Sequence, residues 1–303
     1  MRLAYLGTSD FAATILRRLA DSPYRPALVV TPPDRKQGRG RRLLPPPAAI
    51  TAAELGLELH QTQSVNEPDS LRRIGEAGID VGMVCAFGQL IKPPLLDDVE
   101  MLNVHPSLLP RWRGAAPIER AMMAGDAETG VAIIRLTEGL DSGPIALCER
   151  VEIGAGDDYG SLSERLAKLG GDLAVRALEL RQNGELAFAE QPEDGVAYAE
   201  KIEPGERRLD PGSPAIELER IVRALTPHVG AFAELEGGER LGVLRATAQP
   251  EGPSSGRLEA EGEALLLGTP DGALRVTFVK PPGKREMAVA DYLRGNPSPR
   301  LAR

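Results

Sequence analysis

Between Met1 and Ala189, short apolar runs alternate with amphipathic stretches, and that alternation leaves few folds open. Strands and helices in turn build a mostly parallel sheet covered on both faces, whose buried strands read as continuous apolar runs. Leu3–Leu6, Ala27–Thr31, Leu57–His60, Val81–Cys85, Met101–Val104 and Val131–Leu136 read as such strands. Between them fall helical patterns: Phe11–Ala20 behind a Ser9 or Asp10 cap, Pro47–Leu55 stopped at Gly56, a helix capped by Asn66 and running through Ala77, and Pro117–Met123. The longest helix, Ser161–Arg181, closes at Asn183-Gly184, where a glycine tolerates the left-handed turn that ends helices.

The pattern breaks near Gln191. Glu190–Gly212 is rich in charge and proline, has little periodicity, and reads as a linker. Beyond it come one amphipathic helix, Ile216–Leu225, and four strand-like runs: Ala231–Leu235, Leu241–Ala246, Ala264–Leu267 and Leu274–Val279. Turn pairs such as Gly237-Gly238 and Asp271-Gly272 separate these runs. Several short strands in so little chain suggest a small β-barrel. The 303 residues, 42% of them hydrophobic, suffice for two cored domains: 1–189 and 213–303, joined by 190–212.

The formal net charge of -8 argues against a protein that coats DNA, but leaves room for a local cationic patch. Such a patch stands at Arg35, Lys36, Arg39, Arg41 and Arg42, with Gly38 and Gly40 giving the segment a flexible-loop character. It reads either as a solvated charge run or as a phosphate-binding loop; the flanking prolines and glycines favour the second. Cys85 and Cys148 form no CxxC pair, and three histidines (His60, His105, His228) complete no common zinc spacing with them. Cys85 lies in an apolar run and reads as a buried, reduced thiol. No secretory leader pattern opens the chain, and no apolar stretch approaches ~20 residues, so a cytoplasmic protein is expected.

In open α/β sheets, ligands bind beyond the carboxyl ends of strands. Two segments leave such ends with unusual residues. In Asn103-Val104-His105, the first and third side chains share a face. A carboxamide and an imidazole there can donate hydrogen bonds to a developing oxyanion. Taken alone, His105 reads first as a satisfied core histidine and Asn103 as a turn former. In the second segment, Gly139 and Gly143 bracket Asp141 in a tight loop, where a lone aspartate is as readily a cap. Together the three suggest acyl transfer to an amine, with the carboxylate orienting and charge-balancing the imidazole. The opening Gly7-Thr8-Ser9-Asp10 is a strand-to-helix turn and not a GxGxxG dinucleotide motif.

Asn103, His105, the run Ser107-Leu108-Leu109-Pro110 with Arg111-x-Arg113-Gly114, and Asp141 resemble the catalytic signature of the folate-dependent formyltransferases. Three further features resemble the branch of that family acting on methionyl-tRNA. They are the opening Gly7-Thr8-Ser9-Asp10-Phe11-Ala12, the basic insertion Asp34–Arg42 with Arg39 at its key arginine position, and Lys280-Pro281-Pro282-Gly283-Lys284-Arg285. Nearly the whole chain is covered. The departures are Ser9, where proline is common, Ser142, where threonine is common, and Leu209, where a tryptophan is frequent.

The resemblance implies a Rossmann-like catalytic domain with a C-terminal OB-like barrel, 10-formyltetrahydrofolate as donor, and initiator methionyl-tRNA as acceptor. It implies that Asn103, protonated His105 and Asp141 are catalytic. The folate is expected on Phe87, Gly88, Gln89 and Leu90, along Ser107, Leu108, Leu109 and Pro110, and against the loop Leu136–Asp141. The tRNA is expected on Arg35, Lys36, Arg39, Arg41 and Arg42 and on Lys280, Lys284 and Arg285. No metal is called for, because the amine is a good nucleophile once neutral, and a monomer is expected. Trp112, the one tryptophan, reads as a stacking surface for the acceptor end or as a packing residue. The rival acceptor is a nucleotide-linked sugar amine, which leaves the Arg39 and Lys280 loops without a role.

Overall fold

The computed structural model of the chain describes residues 1–37, 42–296 and 299–301. Two compact units emerge. The first comprises Met1–Gly114, Thr129–Glu152 and Ser163–Tyr198; the second comprises Ala115–Glu128, Ile153–Leu162 and Ala199–Arg303.

The first unit is a seven-stranded sheet in the order Ile145–Glu152, Glu128–Arg135, Glu100–His105, Val81–Cys85, Leu3–Gly7, Leu28–Thr31, Leu59–Gln61. The five strands from Glu100–His105 to Leu59–Gln61 pair in parallel. Glu128–Arg135 joins antiparallel, setting His105 opposite Ala132. Every residue of Leu3–Gly7, Leu28–Thr31 and Val81–Cys85 is buried, as strands covered on both faces must be. Ala4, Leu6, Leu28, Val30 and Met101 pack one face with Ile74 and Leu95. On the other, Tyr5 donates its hydroxyl to Ala12 O at 2.6 Å in the helix Asp10–Ala20. The helix Tyr159–Asn183 lies so close that a Cβ on Gly170 would meet Val104 Cγ1 at 2.9 Å.

The starts and stops follow local chemistry. Ser9 caps the first helix by accepting from Ala12 N, and Gly184, at φ 75°, follows the long one. The expected Asn66 cap is corrected: that helix spans Pro68–Glu76 behind Glu67. Asn66 instead donates to Leu90 O and accepts from Lys92 N, tying down the segment after Val81–Cys85. Pro68, lacking an N–H, suits the first helical turn, where that donor has no intrahelical partner. The edge strand Ile145–Glu152 has no counterpart in the sequence reading: its apolar run stops at Cys148 and charged residues follow, on a strand that is half to fully exposed. Arg35–Gln37, expected within a flexible loop that ends at Arg42, pairs with Arg42–Leu44 as an antiparallel ladder with Lys36 opposite Leu43.

The second unit holds a six-stranded antiparallel sheet, Ala231–Glu234, Arg240–Gln249, Gly272–Lys280, Ala264–Thr269 and Leu258–Glu261 in order, with Met287–Ala288 paired to Gly272–Lys280. Register shifts at Val243/Arg245 and Arg245/Ala246 interrupt its longest strand. The helix Ala215–Leu225 lays Leu218, Val222 and Leu225 on this sheet, and Met123 of Pro117–Ala124 joins the same cluster. Within the stretch 190–212, Leu209 is buried in that core and its N–H pairs with Phe232 O. Arg120 grips both carboxylate oxygens of Glu206 at 2.5 and 3.0 Å.

Candidate active site

The Glu100–His105 strand carries Asn103 and His105 to its carboxyl end, where both are buried at 8% and 4% exposure. The loop after Glu128–Arg135 brings Asp141 to the same place. Asp141 sits at φ 45°, in the left-handed region that an aspartate tolerates better than most residues. Asn103 Nδ2 approaches Asp141 Oδ1 at 3.4 Å, and His105 Nδ1 lies 3.6 Å from Asp141 Oδ2. The backbone N–H of Gly114 donates to Asp141 Oδ2 at 2.9 Å. On its far side, His105 Nε2 meets the carbonyl of Trp112 at 2.9 Å. The imidazole thus lies between a carbonyl and a carboxylate, a setting in which both ring nitrogens can carry protons.

The run after His105 folds back on itself. Ser107 is fully buried and donates its hydroxyl to Arg111 O, and Leu109 packs on Ala132 and Ile134. Of the four residues expected to line a folate pocket here, Leu108 and Pro110 are partly exposed. Trp112 adopts φ 67°, and the Arg111 guanidinium stacks over its ring at 4.3 Å. Phe87 is buried and accepts from Thr8 Oγ1 through its carbonyl, while Gly88, at φ 75°, is exposed. The Gln89 side chain is spent on Val65 N and Thr62 O, and Leu90 is 64% exposed.

Two contributors escaped the sequence reading. Gln191, read as linker, donates to the carbonyls of Asp141 and Gly143. Arg113, quoted there only as part of a motif, holds Gln191 from the other side. A glutamine in a charged stretch carries no signal of such a role. Elsewhere, Cys85 is buried, and burial pushes its thiol far above the ordinary value, as it does the neighbouring Tyr5 hydroxyl. His60 pairs with Ser70 and is pushed below its ordinary value by burial, and His228 pairs with Glu119. Among the described residues, no group of three or more His, Cys, Asp or Glu side chains is arranged to hold a metal.

The expected cationic residues divide. Arg35, Lys36 and Arg42 are exposed on the paired strands, whereas Arg39 and Arg41 lie outside the described residues. Lys280, Lys284 and Arg285 are exposed around a turn in which Lys284 N donates to Pro281 O.

Residues 1–178 match the formyl transferase family, and residues 201–297 match the formyl transferase C-terminal domain. The chain belongs to the formyl transferase family. A methionyl-tRNA formyltransferase of Parvibaculum lavamentivorans is 41% identical to it over 97% of both chains. One of Halorhodospira halophila is 43% identical over 97% of this chain and 96% of its own. Among solved structures, the N-formyltransferase of Helicobacter canadensis, in complex with folinic acid and dTDP-3-aminofucose, superposes with a TM-score of 0.67 at 16% identity. That match covers 91% of this formyl transferase and 98% of the other chain, and it shows a shared fold. Among the described residues, no helix is long and apolar enough to cross a membrane.

Proposed function

We propose that this chain moves the formyl group of 10-formyltetrahydrofolate onto the free α-amino group of initiator methionyl-tRNA, releasing tetrahydrofolate. One observation carries the proposal: Asn103, His105 and Asp141 meet at one strand end. They do so in a chain 41% and 43% identical, over nearly its full length, to methionyl-tRNA formyltransferases.

The acceptor amine attacks the formyl carbon in its neutral form. A carbon–nitrogen bond forms, and the formyl oxygen becomes an oxyanion. Asn103 and protonated His105 are the donors for that charge. Their contacts to Asp141, at 3.4 and 3.6 Å, are longer than the ~2.7–2.9 Å of a charge-assisted bond, so both have slack to turn toward a reacting oxygen. His105 Nε2 already faces the Trp112 carbonyl, so donation falls to Nδ1. Asp141 balances the charge of the protonated imidazole and assists the transfer of the proton that the amine gives up. The bond from the formyl carbon to folate N10 then breaks, and that proton passes to N10. Atoms and charge balance with one proton moved.

The exposed backbone at Gly88, together with Phe87, Gln89, Leu90 and the loop before Asp141, receives the pteridine, and the run 107–110 borders it. Arg35, Lys36, Arg39, Arg41 and Arg42 grip the acceptor arm. Lys280, Lys284 and Arg285 take phosphates of the tRNA body, positioning it without reading bases. Residues 1–189 then hold the chemistry and the acceptor arm, and 213–303 the tRNA body. The enzyme acts in the cytoplasm as a monomer.

The test is an acceptor assay. With formyl-labelled folate, methionyl-tRNA is expected to take up label and a nucleotide-linked amino sugar is not. Label in the sugar alone would overturn the acceptor assignment.

A further inference from the structure

The geometry points to Gln191 as the positioning residue that sets Asp141 for catalysis, an inference that rests on the catalytic reading of Asp141. Asp141 is the residue of its loop at positive φ, 45°, and its carboxylate faces three groups: Asn103, His105 and the Gly114 N–H. Those contacts hold the carboxyl end of the side chain. The backbone beneath it is held by Gln191, whose Nε2 donates to Asp141 O at 2.7 Å and to Gly143 O at 2.8 Å. Both donors of one amide are thereby used on the same turn.

The other end of the amide is fixed as firmly. Arg113 Nε and Nη2 donate to Gln191 Oε1 at 3.0 and 2.7 Å, so the oxygen accepts two bonds. The amide can face only one way. A flip would turn its oxygen toward two carbonyls and its NH₂ toward a guanidinium, which has donors only. Arg113 is followed directly by Gly114, whose N–H reaches the Asp141 carboxylate. A closed ring results, from the Asp141 backbone through Gln191 and Arg113 to Gly114 and back to the Asp141 side chain. Loss of the amide frees the Asp141 carbonyl, and the turn loses the tie that sets its carboxylate against His105. Reacting groups misplaced by about 1 Å can cost on the order of 100-fold in rate.

Glutamate and methionine separate this role from a merely structural one. Gln191→Glu keeps the shape and the pairing to Arg113, but turns an acceptor toward the Asp141 and Gly143 carbonyls. Gln191→Met keeps the bulk and loses both sets of bonds. With methionyl-tRNA and 10-formyltetrahydrofolate, both variants are expected to lose about 10- to 100-fold in kcat. KM for either substrate should stay within about twofold, and Gln191→Glu should melt near the wild-type temperature, which keeps the test valid if Gln191→Met folds poorly. In an Asp141→Asn background, Gln191→Glu should cost nothing further, since a residue acting only through Asp141 has no second effect. Near-normal kcat in Gln191→Glu, or full additivity with Asp141→Asn, overturns the inference while the site reading stands. Near-normal kcat in Asp141→Asn itself overturns the site reading, and this inference with it.

Discussion

The polar groups at the end of the Glu100–His105 strand and the cations of the 280–285 turn are both candidates for function, yet they are built in opposite ways. Asn103 and His105 are buried beside Asp141 and Trp112, on a strand paired on both sides. Lys280, Lys284 and Arg285 are exposed on a turn. Buried polar groups need partners of defined geometry, so a site of the first kind is set by the fold before any substrate arrives. Phosphate contacts act through charge over a surface that water also occupies, so a site of the second kind takes its geometry from the partner.

If that contrast holds, single substitutions at the strand end act steeply on turnover. Asn103→Ala is expected to lower kcat by about 100- to 1000-fold, the usual cost of an oxyanion donor, with its melting temperature near wild type. A well-folded Asn103→Ala enzyme with near-normal turnover would break the comparison at its stronger side. His105→Ala should behave alike.

A second test concerns the stretch of charge and proline at 190–212. Its Leu209 is 2% exposed inside the second core, so Leu209→Ala should cost about 2–5 kcal/mol in urea unfolding. A shift under ~0.5 kcal/mol would mean that the segment is surface, as its composition suggests.

For the turn, the triple replacement of Lys280, Lys284 and Arg285 by alanine should weaken tRNA binding and flatten its salt dependence. The slope of log K against log salt should fall by about 2–3, at slightly under one unit per lost phosphate contact. Donor binding should survive. An unchanged slope would make the turn a solvated surface.

The smallest effect is expected at Arg120–Glu206, where the guanidinium holds the Glu206 carboxyl below its ordinary range. A depressed carboxyl contributes stability above its ordinary pKa and loses it as pH falls through the lowered value. Glu206→Gln should therefore cost at most about 1 kcal/mol at neutral pH, because the pair is partly exposed. The gap should close in acid. A gap that widens in acid would reverse the sign of this argument.

How much of this was legible in the sequence depended on burial. The central strands were found because strands covered on both faces must be apolar throughout, and the helix ends because Ser9 and Gly184 satisfy backbone constraints within a few residues. Asn103, His105 and Asp141 each read alone as a core, turn or cap residue; the family resemblance grouped them, and the fold brings them together at one strand end. What stayed hidden was tertiary. Leu258–Glu261 is a mostly exposed strand with no apolar run, and in Ile145–Glu152 the apolar run ends at Cys148 before a charged half. Asn66 reads as a cap until Leu90 and Lys92 are seen beside it. Gln191 acquires its partners only when a segment fifty residues past Asp141 returns to it.

The loop that bears Asp141 is closed at its base, where Arg135 N donates to Pro144 O at 3.0 Å and a Cβ on Gly143 would fall 1.8 Å from Arg135 O. Residues 137–140 at its tip are exposed. For a protein engineer this is a cassette with fixed ends. Its tip is open to exchange only where the donor does not rest and where Gly139 is kept, since a Cβ there would fall 2.2 Å from Ser142 Oγ, whereas any side chain added at Gly143 must force the cassette open.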